Sequence, residues 1–269
     1  MPFGLPDFLA PGVAAAFVLT ALRVGGLLLV APVWSARSVP MKLRTAMLLL
    51  FAMQLLPSAL ATAEQARLVI TPATFLAETV IGFAFGMAAA LVIAGAEFGG
   101  ELMTTTIGLS GAAIFDPINN TQGAILGSFM QLLALVVLLI TNGHLVMLQA
   151  LAQSFQALPL GAPVALDAGM HELAKAGAGI FRTGLQFASP VIGAILVANI
   201  AFAVLGRAAP QLQIMSLAFP MQIGLGLLTF AGSLALIVQA LGDWRPGYGR
   251  TLDSFARAAA SAPAPAGRR

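Results

Sequence analysis

Four ionisable side chains lie inside very apolar stretches of the sequence, where a charge needs a reason to be present. They are Arg23, Glu78, Glu97 and Glu101. Such groups are costly and usually face a partner group or a water-filled cavity. Glu97 and Glu101 are one helical turn apart and share a helix face, which suits the acidic rim of an aqueous path. Pairing with an arginine of a neighbour, or solvation at a helix end, is the alternative. Arg23 suits a contact between helices better than a substrate.

One short pattern is typical of a catalytic serine. The G-x-S-G pattern of rhomboid-type intramembrane proteases is matched by Gly108-Leu109-Ser110-Gly111, and His144 follows in the next apolar segment. Such an enzyme needs a base within hydrogen-bond reach of the serine and an oxyanion hole beside it. Four-residue patterns of small residues arise easily by chance in this sequence, and nothing else of the rhomboid pattern is present. We therefore expect no catalytic residue and no enzyme.

The serine belongs to a longer stretch, Thr104–Gln122, which is the first candidate for function. It mixes glycine and small residues with Ile107, Ile114 and Phe115, and it ends in the turn residues Asp116-Pro117 and Asn119-Asn120. Glycine frees the backbone, while Asp-Pro and Asn-Asn set turns. A partly apolar loop at membrane depth must be buried in protein or line a cavity. A mobile plug and a packed, immobile re-entrant loop are both consistent with this composition.

The composition is that of a membrane protein or of a protein in a membrane complex. Of 269 residues, 59% are hydrophobic and 9% are charged, against about 25% charged in an ordinary soluble domain. The net charge of +3 comes from dispersed residues, which argues against nucleic acid as a partner. The absence of cysteine excludes disulfides and thiolate metal sites, and the two histidines show no ligand spacing. We expect no metal and no cofactor, and we expect the first apolar segment to be retained because no basic residue precedes it.

The elements that position these residues are six apolar segments, of which several contain proline. After Gly242 the chain turns polar and basic, and its end is typical of a disordered tail. We predict segments at about 8–30, 41–63, 72–103, 123–155, 167–205 and 214–241.

The positive charges conflict with six membrane crossings. Lysine and arginine concentrate on the cytoplasmic side of a membrane protein, yet the first connection (Arg37, Lys42, Arg44) and the basic tail would lie on opposite sides. Either a segment does not cross, or assembly with partners overrides the rule. The glycine pairs Gly82/Gly86 and Gly95/Gly99 suit close helix packing, within the chain or against other subunits.

The order of several motifs resembles the FliR family of flagellar export proteins, whose injectisome relatives form the SctT group. The resemblance covers nearly the whole chain. At two positions, Met215 and Ala218, this chain departs from the residues common in the family, and these differences affect only local packing. The matching pieces are Arg23, Pro32, Ser38-Val39-Pro40 with Arg44, the glycine-rich loop ending in Phe115-Asp116-Pro117, Asn142-Gly143-His144, Ser154–Pro159, Arg207–Ile214 and Phe219-Pro220.

The resemblance implies an all-α subunit of a type III export gate in the bacterial inner membrane, at the flagellar basal body. FliR-like proteins join FliP-like and FliQ-like subunits, with an FlhB-like switch subunit, around a channel for unfolded export substrates. It implies one export-gate domain over 1–245, with about 1–205 similar to FliP and 206–245 contributing to a FliQ-like hairpin. Residues 246–269 would form a polar, basic, partly disordered tail. A flagellar system is preferred to an injectisome.

The resemblance also implies roles for individual residues. The loop would plug the closed channel through Ile107, Gly108, Leu109, Ser110, Gly111, Ile114, Phe115, Asp116 and Pro117. Residues at the pore rim or at subunit contacts would be Glu97, Glu101, Arg23, Arg207, Pro210 and Gln211. The competing class is a freestanding secondary transporter or channel, in which Glu97 and Glu101 would serve as substrate or proton sites.

Overall fold

The computed structural model describes residues 12–36, 39–62, 68, 70–109, 125–208 and 214–261, without the side chains of 214–217. Within these ranges the chain forms helices and no strand, which confirms the all-α expectation. Five helical stretches are long and apolar enough to cross a membrane, or six if one bent pair counts as a span. The helices are α1 (Val13–Val30), α2 (Met41–Thr62), α3 (Pro72–Ile107), α4 (Ile125–Ile140), α5 (Gly143–Ala157), α6 (Leu166–Gly177), α7 (Gly179–Ala208), α8 (Ile214–Gly242) and α9 (Arg245–Ala260).

Local sequence explains where helices begin and break. α3 starts with a capping arrangement in which the Thr71 N–H donates to Thr74 Oγ1 (2.8 Å) and the Thr74 N–H donates to Thr71 Oγ1 (3.1 Å). Pro72 fills the first turn, where its missing N–H costs nothing. Between α4 and α5 the backbone of Asn142 is left-handed, with φ 57°, and the two helices are bent by 66°. The single apolar segment predicted at about 123–155 is therefore divided into two helices at Asn142.

The chain divides into two compact units. Unit 1 contains Met1–Leu91, Leu139–Gly177 and Arg245–Arg269, and unit 2 contains Val92–Leu138 and Ala178–Trp244. The long helix α3 contributes its first half to unit 1 and its second half to unit 2.

Unit 1 is built on a close approach of α1 and α3 at three glycines. A Cβ added to Gly82 would lie 1.8 Å from the carbonyl oxygen of Arg23, and one added to Gly26 would lie 2.3 Å from that of Thr79. Gly86 is similarly close to α1. Only glycine lets two helix backbones touch in this way. The sequence left open whether Gly82 and Gly86 face the chain itself or another subunit, and they face the chain itself.

α9 is an amphipathic helix that packs against α5 and α6 in unit 1. The ring of Phe255 lies against Gly169 and meets Phe85 edge-on, with ring centroids 6.5 Å apart. The Tyr248 hydroxyl donates to the Phe85 carbonyl (3.4 Å), and burial raises the pKa of Tyr248. The sequence indicated only a polar, basic tail over 246–269, so the packed helix at 245–260 was missed. Residues 262–269 lie outside the described part.

In unit 2 the second half of α3 packs against α4 and α7, again at glycines. A Cβ on Gly100 would lie 2.3 Å from the Leu126 carbonyl oxygen, and one on Gly99 would lie 3.0 Å from the Gly184 oxygen. Gly95 packs against α7 as well. The pair Gly95/Gly99, like Gly82/Gly86, is used for packing inside the chain.

α7 and α8 lie side by side as a hairpin in unit 2. Asn199 and Gln222 form a hydrogen bond across it. Many large apolar side chains of the hairpin point outward and are exposed. The exposed ones include Phe181, Leu185, Leu196, Val197, Ile200, Val204, Leu227, Leu228 and Leu236.

Gly82→Ala tests the α1–α3 contact. The added methyl group must push the two backbones apart, which costs about 1–3 kcal/mol as other overpacking changes do. We expect a lower unfolding temperature in mild detergent, measured by tryptophan fluorescence.

Gly249→Ala, in α9, is the matched control. It also replaces a glycine inside a helix, but its Cβ would meet nothing within 4 Å, so better helix propensity should leave stability equal or slightly higher. Equal unfolding temperatures for Gly82→Ala and the unmodified chain would contradict the close contact.

Candidate functional site

Arg23 and Glu78 form an ion pair in the interior of unit 1. The Arg23 Nε lies 2.6 Å from Glu78 Oε2, and the two side chains are 0% and 2% exposed. Removing two charges from water costs several kcal/mol per ion unless their remaining hydrogen-bonding groups are also satisfied.

The surrounding chain satisfies them. Arg23 Nη1 donates to Ser154 Oγ and Nη2 donates to the Leu158 carbonyl, both at 3.0 Å. The second carboxylate oxygen of Glu78 accepts the Gly161 N–H at 3.1 Å. The guanidinium carbon also lies 4.4 Å from the centre of the Phe155 ring. The pair thus joins α1, α3, the end of α5 and the turn that follows it.

The backbone at the end of α5 is shaped to meet this pair. The helix ends at Ala157. The N–H of the capping residue Leu158 still donates to the Ser154 carbonyl at 2.8 Å, while the Leu158 carbonyl accepts from the arginine. Gly161 has φ +71°, a left-handed conformation that glycine adopts at no steric cost. The sequence pointed to Arg23 and Glu78 as buried charges but missed Ser154, Leu158 and Gly161 as their partners.

This geometry corrects the assignment of Arg23 to a pore rim or subunit contact. The guanidinium is enclosed within unit 1 and leaves no surface for a partner or a pore. It makes the contact between helices for which a lone arginine in an apolar segment is suited. The arrangement can hold four parts of the chain together: α1, α3, the end of α5 and the turn that follows it.

The second half of α3 carries the other two acidic side chains. Glu97 is half-buried and accepts a hydrogen bond from Gln131 Nε2 of α4 at 2.9 Å. Glu101 is exposed one turn later. Neither forms an ion pair with a described side chain. The two carboxylates share a helix, as predicted, but the structure gives them different surroundings.

α3 ends at the start of the predicted plug loop. Ile107 is fully buried in a notch made by Gly226 of α8, where a Cβ would lie 2.4 Å from the isoleucine side chain. Gly108 has φ +87°, and a Cβ on it would lie 3.2 Å from the ring of Phe219. A left-handed glycine commonly ends a helix, and here it ends α3 four residues beyond the predicted boundary at Met103.

The remaining predicted site residues divide between described and undescribed positions. Leu109 is half-buried directly after Gly108, and Arg207 is exposed in the last turn of α7. Those outside the described residues are Ser110, Gly111, Ile114, Phe115, Asp116, Pro117, Pro210 and Gln211. His144 is half-buried at the start of α5. In the described part, no three His, Asp or Glu side chains group as metal ligands.

Comparison with known proteins identifies the family. The profile of a family described as "Bacterial export proteins, family 1" matches residues 14–244. The chain belongs to this family of bacterial export proteins. The matched residues run from the start of α1 to the end of α8, and α9 lies beyond them.

Curated relatives are similar over most of their length. The flagellar biosynthetic protein FliR of Escherichia coli (strain K12) is 33% identical over 80% of this chain and 83% of its own. The FliR of Pectobacterium carotovorum subsp. carotovorum is 31% identical over 80% and 83%. That of Caulobacter vibrioides is 27% identical over 88% and 94%. The resemblance to the FliR family is confirmed.

Arg23→Met tests the buried pair. Removing one partner leaves Glu78 charged and unpaired in an apolar interior, which costs about 3–5 kcal/mol. We expect this export protein to accumulate poorly and to unfold at a markedly lower temperature in mild detergent.

The double variant Arg23→Met/Glu78→Leu separates the charge from the packing. Replacing a whole buried pair by apolar side chains is often neutral, so the double variant should recover most of the loss. An Arg23→Met protein as stable as the unmodified one would contradict the role of the pair.

Proposed function

We propose that this chain is a core structural subunit of a flagellar type III protein export gate. It assembles with FliP-like and FliQ-like subunits, and with an FlhB-like switch subunit, around a channel for unfolded flagellar export substrates. Membership of the bacterial export family, with relatives named as flagellar biosynthetic proteins, carries the proposal. The apolar helices support a membrane location, which we place in the inner membrane at the flagellar basal body.

The glycines of the chain support assembly with other helices. A Cβ added to any glycine of α3 would meet other residues of the chain. A Cβ added to Gly193 of α7, or to Gly224 or Gly232 of α8, would meet nothing within 4 Å. Small residues on an apolar helix let another helix approach closely. The open glycines lie on the α7–α8 hairpin. We assign about 1–205 to the FliP-like part and propose that 206–245 contribute to a FliQ-like hairpin.

We further propose that the stretch from Ile107 to Pro117 closes the channel when it is idle. Apolar side chains such as Ile114 and Phe115 can block ions by excluding water from a constriction. The burial of Ile107 against Gly226 supports an anchored start for this stretch. Glycines beyond that anchor lower the cost of moving it aside for a polypeptide.

Purification in mild detergent from the bacterium that makes this chain tests the assembly. We expect the chain to elute in a large complex with FliP-like and FliQ-like subunits. A lone monomer that transports ions or solutes, and loses transport on Glu97→Gln or Glu101→Gln, would instead support the secondary transporter. Labelling of Ser110 by a serine-reactive probe would support the protease.

Substitutions in the loop test the closure. Gly108→Leu forces a branched side chain into a left-handed backbone against Phe219, so we expect reduced secretion of flagellar substrates, and the same for a bulky residue at Gly111. Phe115→Ala removes apolar bulk, so we expect membranes that leak ions.

Phe75→Ala is the matched control, since it removes an exposed phenylalanine (49% exposed) from the start of α3. It should leave ion conductance unchanged. Conductance in Phe115→Ala cells equal to that of the control would contradict the sealing role of Phe115.

A further inference from the structure

One face of α8 contacts the end of α3, where the stretch Ile107–Pro117 begins. This face carries Phe219, Gln222 and Gly226, which lie within about 60° of one another around the helix at 100° per residue. Two of the three residues contact α3, and the third forms a hydrogen bond with α7. All of these contacts lie within unit 2. The start of the stretch proposed to close the channel is therefore positioned by α8.

The contact between Gly226 and Ile107 is tightly packed. A Cβ added to Gly226 would lie 2.4 Å from Ile107 Cγ1 and 2.8 Å from Cδ1, and the isoleucine is 0% exposed. Withdrawing a fully buried side chain gives up all of its packing contacts at once. The last residue of α3 is thus fixed to α8.

Gly108 sets the direction in which the chain leaves α3. Its N–H donates to the Thr105 carbonyl at 3.2 Å, and its φ of +87° is left-handed. Glycine adopts left-handed and right-handed conformations about equally readily, so the residue itself does not choose the direction. Phe219 Cε2 and Cδ2 would lie 3.2 and 3.8 Å from a Cβ added to Gly108. Because the ring lies against Gly108 in this conformation, packing between the two favours it.

Phe219 can move more easily than Ile107. Its ring is 47% exposed, so turning it aside gives up fewer contacts than withdrawing the buried isoleucine. Its backbone is held one turn later, where Gln222 Nε2 donates to Asn199 Oδ1 of α7. A half-exposed ring on a fixed backbone can hold the chain in one direction and still turn aside when the chain is pushed.

We propose that Phe219 is a positioning residue of the closed gate. Its ring holds Gly108 in the left-handed conformation that directs the following residues into the closed position. Ile107 stays packed against Gly226 whether the channel is closed or open. This inference rests on the proposed closure of the channel by Ile107–Pro117.

Phe219→Ala tests the role of the ring. Truncating a half-buried phenylalanine removes enough packing for roughly a tenfold change in an equilibrium between two conformations. We expect the ion leak of resting cells, measured as the loss of an imposed ion gradient, to rise roughly tenfold. Secretion of flagellar substrates should continue, because the ring is not required for their passage. The chain should still purify with its partner subunits.

Two variants are matched controls for the ring. Phe219→Tyr keeps the ring, and Met221→Ala removes an apolar side chain that is 60% exposed on the opposite side of α8. Both should leave the leak unchanged. A leak in Phe219→Ala cells together with lost secretion or lost partner subunits would show a damaged assembly and would overturn the positioning role.

Comparison with Phe115→Ala separates this inference from the proposed closure. If Phe115→Ala cells leak and Phe219→Ala cells do not, the positioning role of Phe219 is wrong and the closure stands. If neither variant leaks, both are wrong.

A disulfide tests whether the start of the stretch is fixed. The natural chain has no cysteine. Since a Cβ at Gly226 lies 2.4 Å from Ile107 Cγ1, the two β carbons are within about 4 Å, the separation that a disulfide needs. After oxidation with copper phenanthroline, the purified Ile107→Cys/Gly226→Cys chain should no longer react with maleimide when it is unfolded.

Secretion by cells with this double variant should be the same with the disulfide formed and after its reduction. Ile107→Cys alone, which cannot form the bond, controls for the substitution. Thiols that stay reactive after oxidation would contradict the contact with Gly226. A block of secretion that a reductant relieves would show that Ile107 leaves Gly226 when the channel opens, and would overturn the fixed start.

Discussion

Unit 1 depends on one buried ion pair and on the close helix contact that makes it possible. Arg23 lies one turn before Gly26, and Glu78 lies one turn before Gly82. A Cβ on Gly82 would collide with the carbonyl oxygen of Arg23 itself. Because glycine has no side chain, the backbones of α1 and α3 can approach closely beside the ion pair. The pair in turn requires the end of α5, because the Ser154 hydroxyl and the Leu158 carbonyl accept the remaining hydrogen bonds of the buried guanidinium. One charge therefore ties three helices to a single arrangement.

Glycine has two different roles in this protein. Along α3 a neighbouring helix of the same unit lies against each glycine, so these glycines contribute to the fold of the chain. On α7 and α8, Gly193, Gly224 and Gly232 are open, and large apolar side chains around them point outward. Sequence alone does not distinguish these roles, because both sets have small residues in apolar helices. The distinction supports a hairpin that is completed by other subunits, as the proposed export gate requires.

Much of the fold could be predicted, since apolar length and proline positions indicate helices directly. The partners of Arg23 could not, because Glu78 is 55 residues away and Ser154 is 131 away, and no local spacing links them. The contact between Ile107 and Gly226 likewise joins residues that are far apart in the sequence. The packing of α9 was missed although a signal was present. Tyr248, Leu252, Phe255 and Ala259 follow the spacing of one helix face, but three arginines and one proline nearby indicated a polar, basic tail.

A density map of the complex purified from its own bacterium would show whether this chain is a subunit of an export gate. We predict one copy of this chain among FliP-like and FliQ-like subunits, with helices of those subunits packed against Gly193, Gly224 and Gly232. Arg23 and Glu78 should be paired inside unit 1. A map in which the chain stands alone, with lipid or detergent against those three glycines and a solute path at Glu97 and Glu101, would contradict it.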